Sequence, residues 1–278
     1  MSWLTDPLAF EFFRNGLAVT VIAGALCGLV GVFVVLRSMS YIGHGLSHAI
    51  FGWAVVSFIV GVNFYLGAAL GGFASALLVN RVARRRSIGA DAAIGVVTTA
   101  IFAVGIALIS RPSRGFTRNF DAALFGQILG VDFSDVLIVA GVAVAVTLAI
   151  LGNYRGLLFS TFDPEVAAVS GVPTRRLDAL LALMLAGTIV ATMQVLGVML
   201  IAAALVIPPV IARMLTDSFA PMLALSSIIG AVTGLVGMFA SYHLDISSGA
   251  SIVLVGAALF AVVFTVSGAR RALLPAPH

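Results

Sequence analysis

Long unbroken apolar runs, separated by short clusters of charge, glycine or proline, set the rhythm of this chain. Reading each run to its bounding polar residues predicts spans near 16–36, 41–60, 64–80, 91–110, 134–153, 177–195, 198–214, 220–241 and 250–269. Runs such as Gly16 to Leu36 match the roughly 20 residues that a helix needs to cross a bilayer. Barrel strands would instead alternate apolar and polar positions over shorter segments. The pattern therefore predicts an all-α, polytopic membrane protein with about nine transmembrane helices, or eight if two runs fuse.

The choice arises at Leu177 to Leu215, too long for one span yet without a polar loop, so two short spans or one kinked helix fit. Arginine bias favours the former. With nine spans and the N-terminus outside, inner loops hold Arg37, Arg81, Arg84, Arg85, Arg86, Arg155, Arg175, Arg176, Arg213, Arg270 and Arg271, giving 11 inside against 4 outside. Fusing the doubtful stretch moves Arg213, Arg270 and Arg271 outward and leaves 8 against 7. Pro208-Pro209 then falls within a short span, where missing N–H donors leave carbonyls that must face protein or a pathway.

Composition sharpens this picture. The chain is 61% hydrophobic and only 9% charged, which excludes a water-soluble enzyme. Its basic residues are all arginine. Without a lysine no phosphate-binding loop of the Walker type can form, so energy from ATP must come from a partner chain. The sequence pI is about 10, but the arginines are scattered between apolar runs, so no nucleic-acid surface is expected. Cys27, the single cysteine, excludes a disulfide framework and reads as a small packing residue. Ser2 to Phe13 reads as a short amphipathic interfacial segment. With no repeat or linker, residues 1–278 read as one transmembrane domain.

Two hydrophilic stretches stand apart. Arg111 to Asp132 lies outside and contains Leu124 to Leu129, a candidate interfacial helix that could dock an extracytoplasmic partner. Arg155 to Asp178 lies inside and contains DPEVAAVSGVP from Asp163 to Pro173. There Asp163 can cap free amides, Pro164 fits the first helical position, and Glu165 favours the positive dipole end. Gly171 supplies a left-handed stop with Pro173 beyond it, giving a helix of about two turns.

The candidate chemistry centres on His44 and His48 near the start of the second span. Residues four apart share one helical face, so two imidazoles can address one point, which is half of a tetrahedral site. Imidazole suits zinc and related transition ions better than purely oxygen ligands do. Gly45, Ala49 and Gly52 form a small-residue stripe beside them that admits another helix, and a symmetric partner would bring two more histidines. The plainer alternative is that each histidine bonds a backbone carbonyl, with Ser47 bonding back along its own helix. His243 and Asp245, at the outer end of the eighth span, either receive an ion or cap a loop. Gln194 and Asp91 lie at span boundaries and are not favoured as ligands; Gln194 can line a pathway or bond between helices.

Several segments now carry a resemblance: GLVGVFVVLRSM (Gly28 to Met39), SYIGHGLSHA (Ser40 to Ala49), DAAIG (Asp91 to Gly95), FGQILG (Phe125 to Gly130), DPEVAAVSGVP, LGVMLIAAALVIPP (Leu196 to Pro209) and SYHLDISSGASIVL (Ser241 to Leu254). In this order, across nearly the whole chain, they resemble the permease subunits of the zinc/manganese/iron family of ABC importers. The resemblance implies a permease fold like that of vitamin B12-type importers and a homodimer in the bacterial plasma membrane. It further implies two cytoplasmic ATP-binding subunits, an extracytoplasmic metal-binding protein, no permanent cofactor and no enzymatic activity of the chain itself. The segment holding Asp163, Pro164, Glu165 and Gly171 would be the coupling helix that docks on the ATPase. The family's metal-contacting pattern is Asp-x-x-x-His within a GDALSHA-like motif; His48 matches its histidine, whereas His44 stands at the aspartate. That departure removes a hard oxygen ligand and points from manganese towards zinc. It also makes binding acid-sensitive, because both imidazoles must be neutral to ligate.

The function expected from the sequence is therefore ATP-driven zinc import by alternating access. Manganese or iron import by the same machinery is the alternative, beside a proton-coupled secondary carrier using His44 and His48 as a relay. An intramembrane metallohydrolase would need a glutamate next to its first histidine, where this chain has Gly45.

Overall fold

The computed structural model describes residues 5–83, 90–110, 124–126 and 130–273. A 3-10 turn, Pro7–Ala9, leads into α1 (Glu11–Leu36), α2 (Ser40–Val60), α3 (Phe64–Ala83) and α4 (Ala90–Ile109). Then follow α5 (Phe133–Gly152), α6 (Tyr154–Phe162), α7 (Pro164–Val169), α8 (Thr174–Leu196), α9 (Ile201–Leu215), α10 (Phe219–Leu244) and α11 (Ser248–Leu273). No strand occurs among the described residues. Eight of these helices are long and apolar enough to cross a membrane: α1 to α5, α8, α10 and α11.

The doubtful stretch resolves into two helices. Gly197, at a left-handed φ of +75°, ends α8, and α9 then has only 15 residues. At 1.5 Å per residue α9 rises about 22 Å, less than the ~30 Å hydrocarbon layer. It runs in the direction of α11, since Leu200 lies against Gly249 and Ile207 against Gly256. The chain thus reverses at Gly197, as the arginine bias requires. Pro208 and Pro209 lie inside α9 and are buried. The carbonyl of Leu205, which Pro209 cannot pair, faces the backbone of Gly31 on α1.

Backbone contact at glycine organises the bundle. Antiparallel α1 and α10 touch through Gly24 against Gly230 and Gly28 against Ser226. Parallel α2 and α4 touch through Gly45, which meets Ile94 and Thr98, and through Gly52, which meets Gly105. The small-residue stripe beside the histidines is therefore occupied by α4 of the same chain. The core joins α1, α2, α8, α9 and α10, whereas α4, α5 and α11 expose side chains such as Val104, Leu148 and Leu254. In lipid such apolar exposure is favourable. Among the described residues no buried side-chain nitrogen or oxygen lacks a hydrogen bond.

Two expectations change. Phe13 does not lie in an interfacial segment: it is fully buried in α1, with Phe239 and Tyr242 of α10 each 5.3 Å from its ring. The cytoplasmic stretch contains one helix more than its local signals indicate, because Leu157 of α6 is buried against the core. The candidate interfacial helix Leu124 to Leu129 lies partly outside the described residues. Leu124 and Phe125 accept backbone and side-chain hydrogen bonds from Met199 (3.2 Å) and Ser247 (2.8 Å), tying this stretch to the outer turns.

Candidate metal site and cytoplasmic coupling segment

His44 and His48 lie in the first three turns of α2, at the end of the span that the arginine bias places inside. Their ring centres are 4.4 Å apart at a tilt of 51°. An ion ~2.1 Å from a ring nitrogen sits roughly 3.2 Å from that ring's centre, so two rings at this spacing can touch one ion. His48 Nδ1 lies 2.9 Å from the carbonyl of His44, and a carbonyl only accepts, so Nδ1 carries the proton and Nε2 keeps its lone pair. Phe102 of α4 meets the His48 ring edge-on at 4.6 Å and limits its rotation. Ser47 donates to the same carbonyl at 2.8 Å. The back-bonding that a plain structural role would produce is thus present, and it does not engage Nε2 of His48.

His44 is exposed and His48 half-buried. Among the described residues no group of three or more His, Cys, Asp and Glu side chains could hold a metal. His44 and His48 therefore stand as a pair, with no third such side chain beside them among the described residues. His243 and Asp245 do not join it, because they stand at the opposite, outer end of α10. Asp245 is the C-cap of α10 at a left-handed φ of +54°, an arrangement that closes a helix. The His243 ring stacks edge-on to Tyr242 at 5.3 Å. Gln194 donates to Asp135 and to the Gly130 carbonyl, so it joins α8 to the start of α5. Asp91 is exposed in the first turn of α4.

The cytoplasmic helix forms as its local signals dictate. Asp163 Oδ1 accepts from the Val166 amide at 3.0 Å, Pro164 starts α7, and Glu165 occupies its first turn. After Val169 the chain turns at Gly171, φ +84°, where Val172 donates to the Ala167 carbonyl at 3.0 Å. Ala167 is buried, whereas Val166 and Val169 are exposed at 50% and 91%, so α7 presents an apolar surface away from the bundle.

Sequence reasoning missed Arg37. At the C-cap of α1 it donates to Asp178 Oδ1 (2.7 Å), Ser160 Oγ (2.9 Å) and Thr161 Oγ1 (3.1 Å), with only 11% of its side chain exposed. In the sequence Arg37 bears on topology alone, because its partners Ser160, Thr161 and Asp178 are remote along the chain. An arginine at a span end, with no acidic residue from Phe12 to Ala90 to pair it locally, is the signal that the sequence carries.

A bundle of long apolar helices with exposed outer faces, built round one short, proline-bearing inner helix, is that of a multi-pass membrane protein. The model of the ABC 3 transport family matches residues 9–267, and the chain belongs to that family. It is 36% identical over 262 residues to the manganese import system permease protein ScaB of Streptococcus parasanguinis, covering 94% of this chain and 93% of that protein. It is 30% identical over 261 residues to the chelated iron transport system membrane protein YfeD of Yersinia pestis, covering 94% and 87%. Among solved structures, PsaBC from Streptococcus pneumoniae in complex with Fab superposes with a TM-score of 0.85 at 33% identity, covering 95% of this chain and 94% of that one.

Proposed function

We propose that this chain is the permease of an ATP-driven importer of a divalent first-row metal, manganese or ferrous iron, working as a homodimer of one-domain subunits. The observation that carries this is similarity along nearly the full length to permeases named for manganese and iron. Zinc, which the sequence favoured through His44, is the less supported cargo, since the relatives described above carry manganese and iron in their names. The chain's ligand chemistry is consistent with iron: imidazole serves ferrous iron as well as zinc, and manganese prefers oxygen.

In this reading ATP is hydrolysed by separate cytoplasmic subunits that meet α7 through Val166, Val169 and Glu165, and an extracytoplasmic protein delivers the ion. His44 and His48 form half of a transient site, and a second copy supplies the other half. Transport needs only that the two access states differ in affinity for the ion, so the permease site is weak compared with that of the delivering protein. The test is uptake by the reconstituted complex supplied with manganese, ferrous iron and zinc in competition. Manganese or iron transported in preference to zinc supports the proposal. Preferential zinc uptake overturns the cargo, and uptake without an ATPase partner, driven by a proton gradient, overturns the transport class.

A further inference from the structure

Arg37 holds both ends of the cytoplasmic segment at once. Its guanidinium bonds Ser160 and Thr161 in the last turn of α6 and Asp178 in the first turns of α8, and α7 lies on the chain between them. The segment from Thr161 to Asp178 is therefore a loop closed at its base by one side chain. The backbone of Arg37 ends α1 and opens the turn into α2, where Ser38 adopts a left-handed φ of +54°. His44 and His48 follow within the next three turns. Beside the ion pair is a cavity of about 210 Å³ lined by Arg37, Met39, Ile42, Asn80, Ile94 and Asp178, which gives the side chains and the start of α2 room to rearrange.

The geometry points to Arg37 as a positioning residue that passes displacement of α7 to the histidine-bearing helix α2. A push on α7 is delivered to α6 and α8, and both are bonded at the α1–α2 turn by the same guanidinium, beside the direct packing of α8 against α1 and α2. A partly buried, charge-assisted, three-armed contact resists stretching where a single exposed ion pair would part. This role rests on the import reading above and goes further by naming the residue through which the two faces communicate.

The experiment compares Arg37→Gln, Asp178→Asn and Arg37→Lys in the reconstituted complex with its ATPase and delivering protein, measuring metal uptake and ATP hydrolysis together. Arg37→Gln is expected to keep ATP hydrolysis near the wild-type rate while metal moved per ATP falls about tenfold, within the usual range of a coupling energy between sites. Asp178→Asn should fall in the same direction, and Arg37→Lys should recover part of the ratio. Uptake and hydrolysis falling in parallel, or an unchanged ratio in both Arg37→Gln and Asp178→Asn, overturns the assignment. If Arg37→Gln fails to assemble, the ratio in Asp178→Asn, which keeps the Ser160 and Thr161 bonds, decides. A wild-type complex that moves no metal refutes the import reading itself, whereas working wild type with unaltered variants refutes only the role of Arg37.

Discussion

Replacing Gly24 by alanine tests whether the α1–α10 contact holds the bundle together. A methyl there would meet the Gly230 carbonyl, its carbon lying 2.7 Å from the added Cβ where ordinary contact begins at 3.4 Å. Both partners are backbone, so no side chain can swing aside, and the helices must separate by at least about 0.7 Å along a contact that continues through Gly28 and Ser226. Overpacking of this kind costs about 1–3 kcal/mol. For a chain of this size each kcal/mol lowers a melting midpoint by about 2–4 °C, so the loss should be roughly 2–12 °C. The assay is thermal unfolding of the purified permease in detergent, followed by tyrosine and tryptophan fluorescence. Gly141→Ala on α5 is the control, because nothing lies within 4 Å of its added methyl. A matching substitution at Gly230 should add less than its own separate cost, since helices already parted accommodate the second methyl. Equal midpoints for Gly24→Ala and Gly141→Ala would refute the steric reasoning.

His44→Ala with His48→Ala should abolish uptake while leaving the melting midpoint within about 2 °C, because one residue is exposed and the other half-buried; wild-type uptake by the double variant would remove the site. Asp163→Ala removes the cap of α7 at a cost of about 1 kcal/mol and should lower the metal moved per ATP without altering permease expression; an unchanged ratio would separate α7 from coupling. Glu165→Arg places positive charge at the positive end of that helix and should uncouple hydrolysis from uptake in the same assay.

What the sequence made legible was local. The boundaries of α2, α3, α4 and α5 follow from apolar runs bounded by polar residues, and α7 from the Asp163-Pro164 start and Gly171 stop, because each signal lies within a turn or two of what it controls. The imidazole pair was equally legible, since four-residue spacing fixes a shared face. Burial of Phe13 was not, because its partners Phe239 and Tyr242 are brought to it by the antiparallel pairing of α1 with α10. The ion pair of Arg37 with Asp178 joins residues 141 positions apart, and no local spacing encodes it. Gly24 and Gly230 each look like ordinary membrane-helix glycines until the fold sets one carbonyl against the other.

These contacts also indicate where the bundle yields. α1 is locked to α10 through Gly24 and Gly230, and α2 to α4 through Gly52 and Gly105, backbone against backbone. On another side of α2, Gly43 meets only the flexible end of Leu205 of α9, with its built Cβ 3.1 Å from Cδ1, and α9 is held to α1 where the Leu205 carbonyl faces Gly31. Helices in backbone contact cannot slide without collision, whereas a leucine end changes rotamer readily. Alternating access should therefore carry α2 with α4 past the body formed by α1, α9 and α10, the motion falling at Gly43 and Leu205. Cysteines placed at these two positions and joined by a short bifunctional thiol reagent are expected to stop uptake, while the same variant left unjoined transports. Uptake that survives joining would place the moving boundary elsewhere in the bundle.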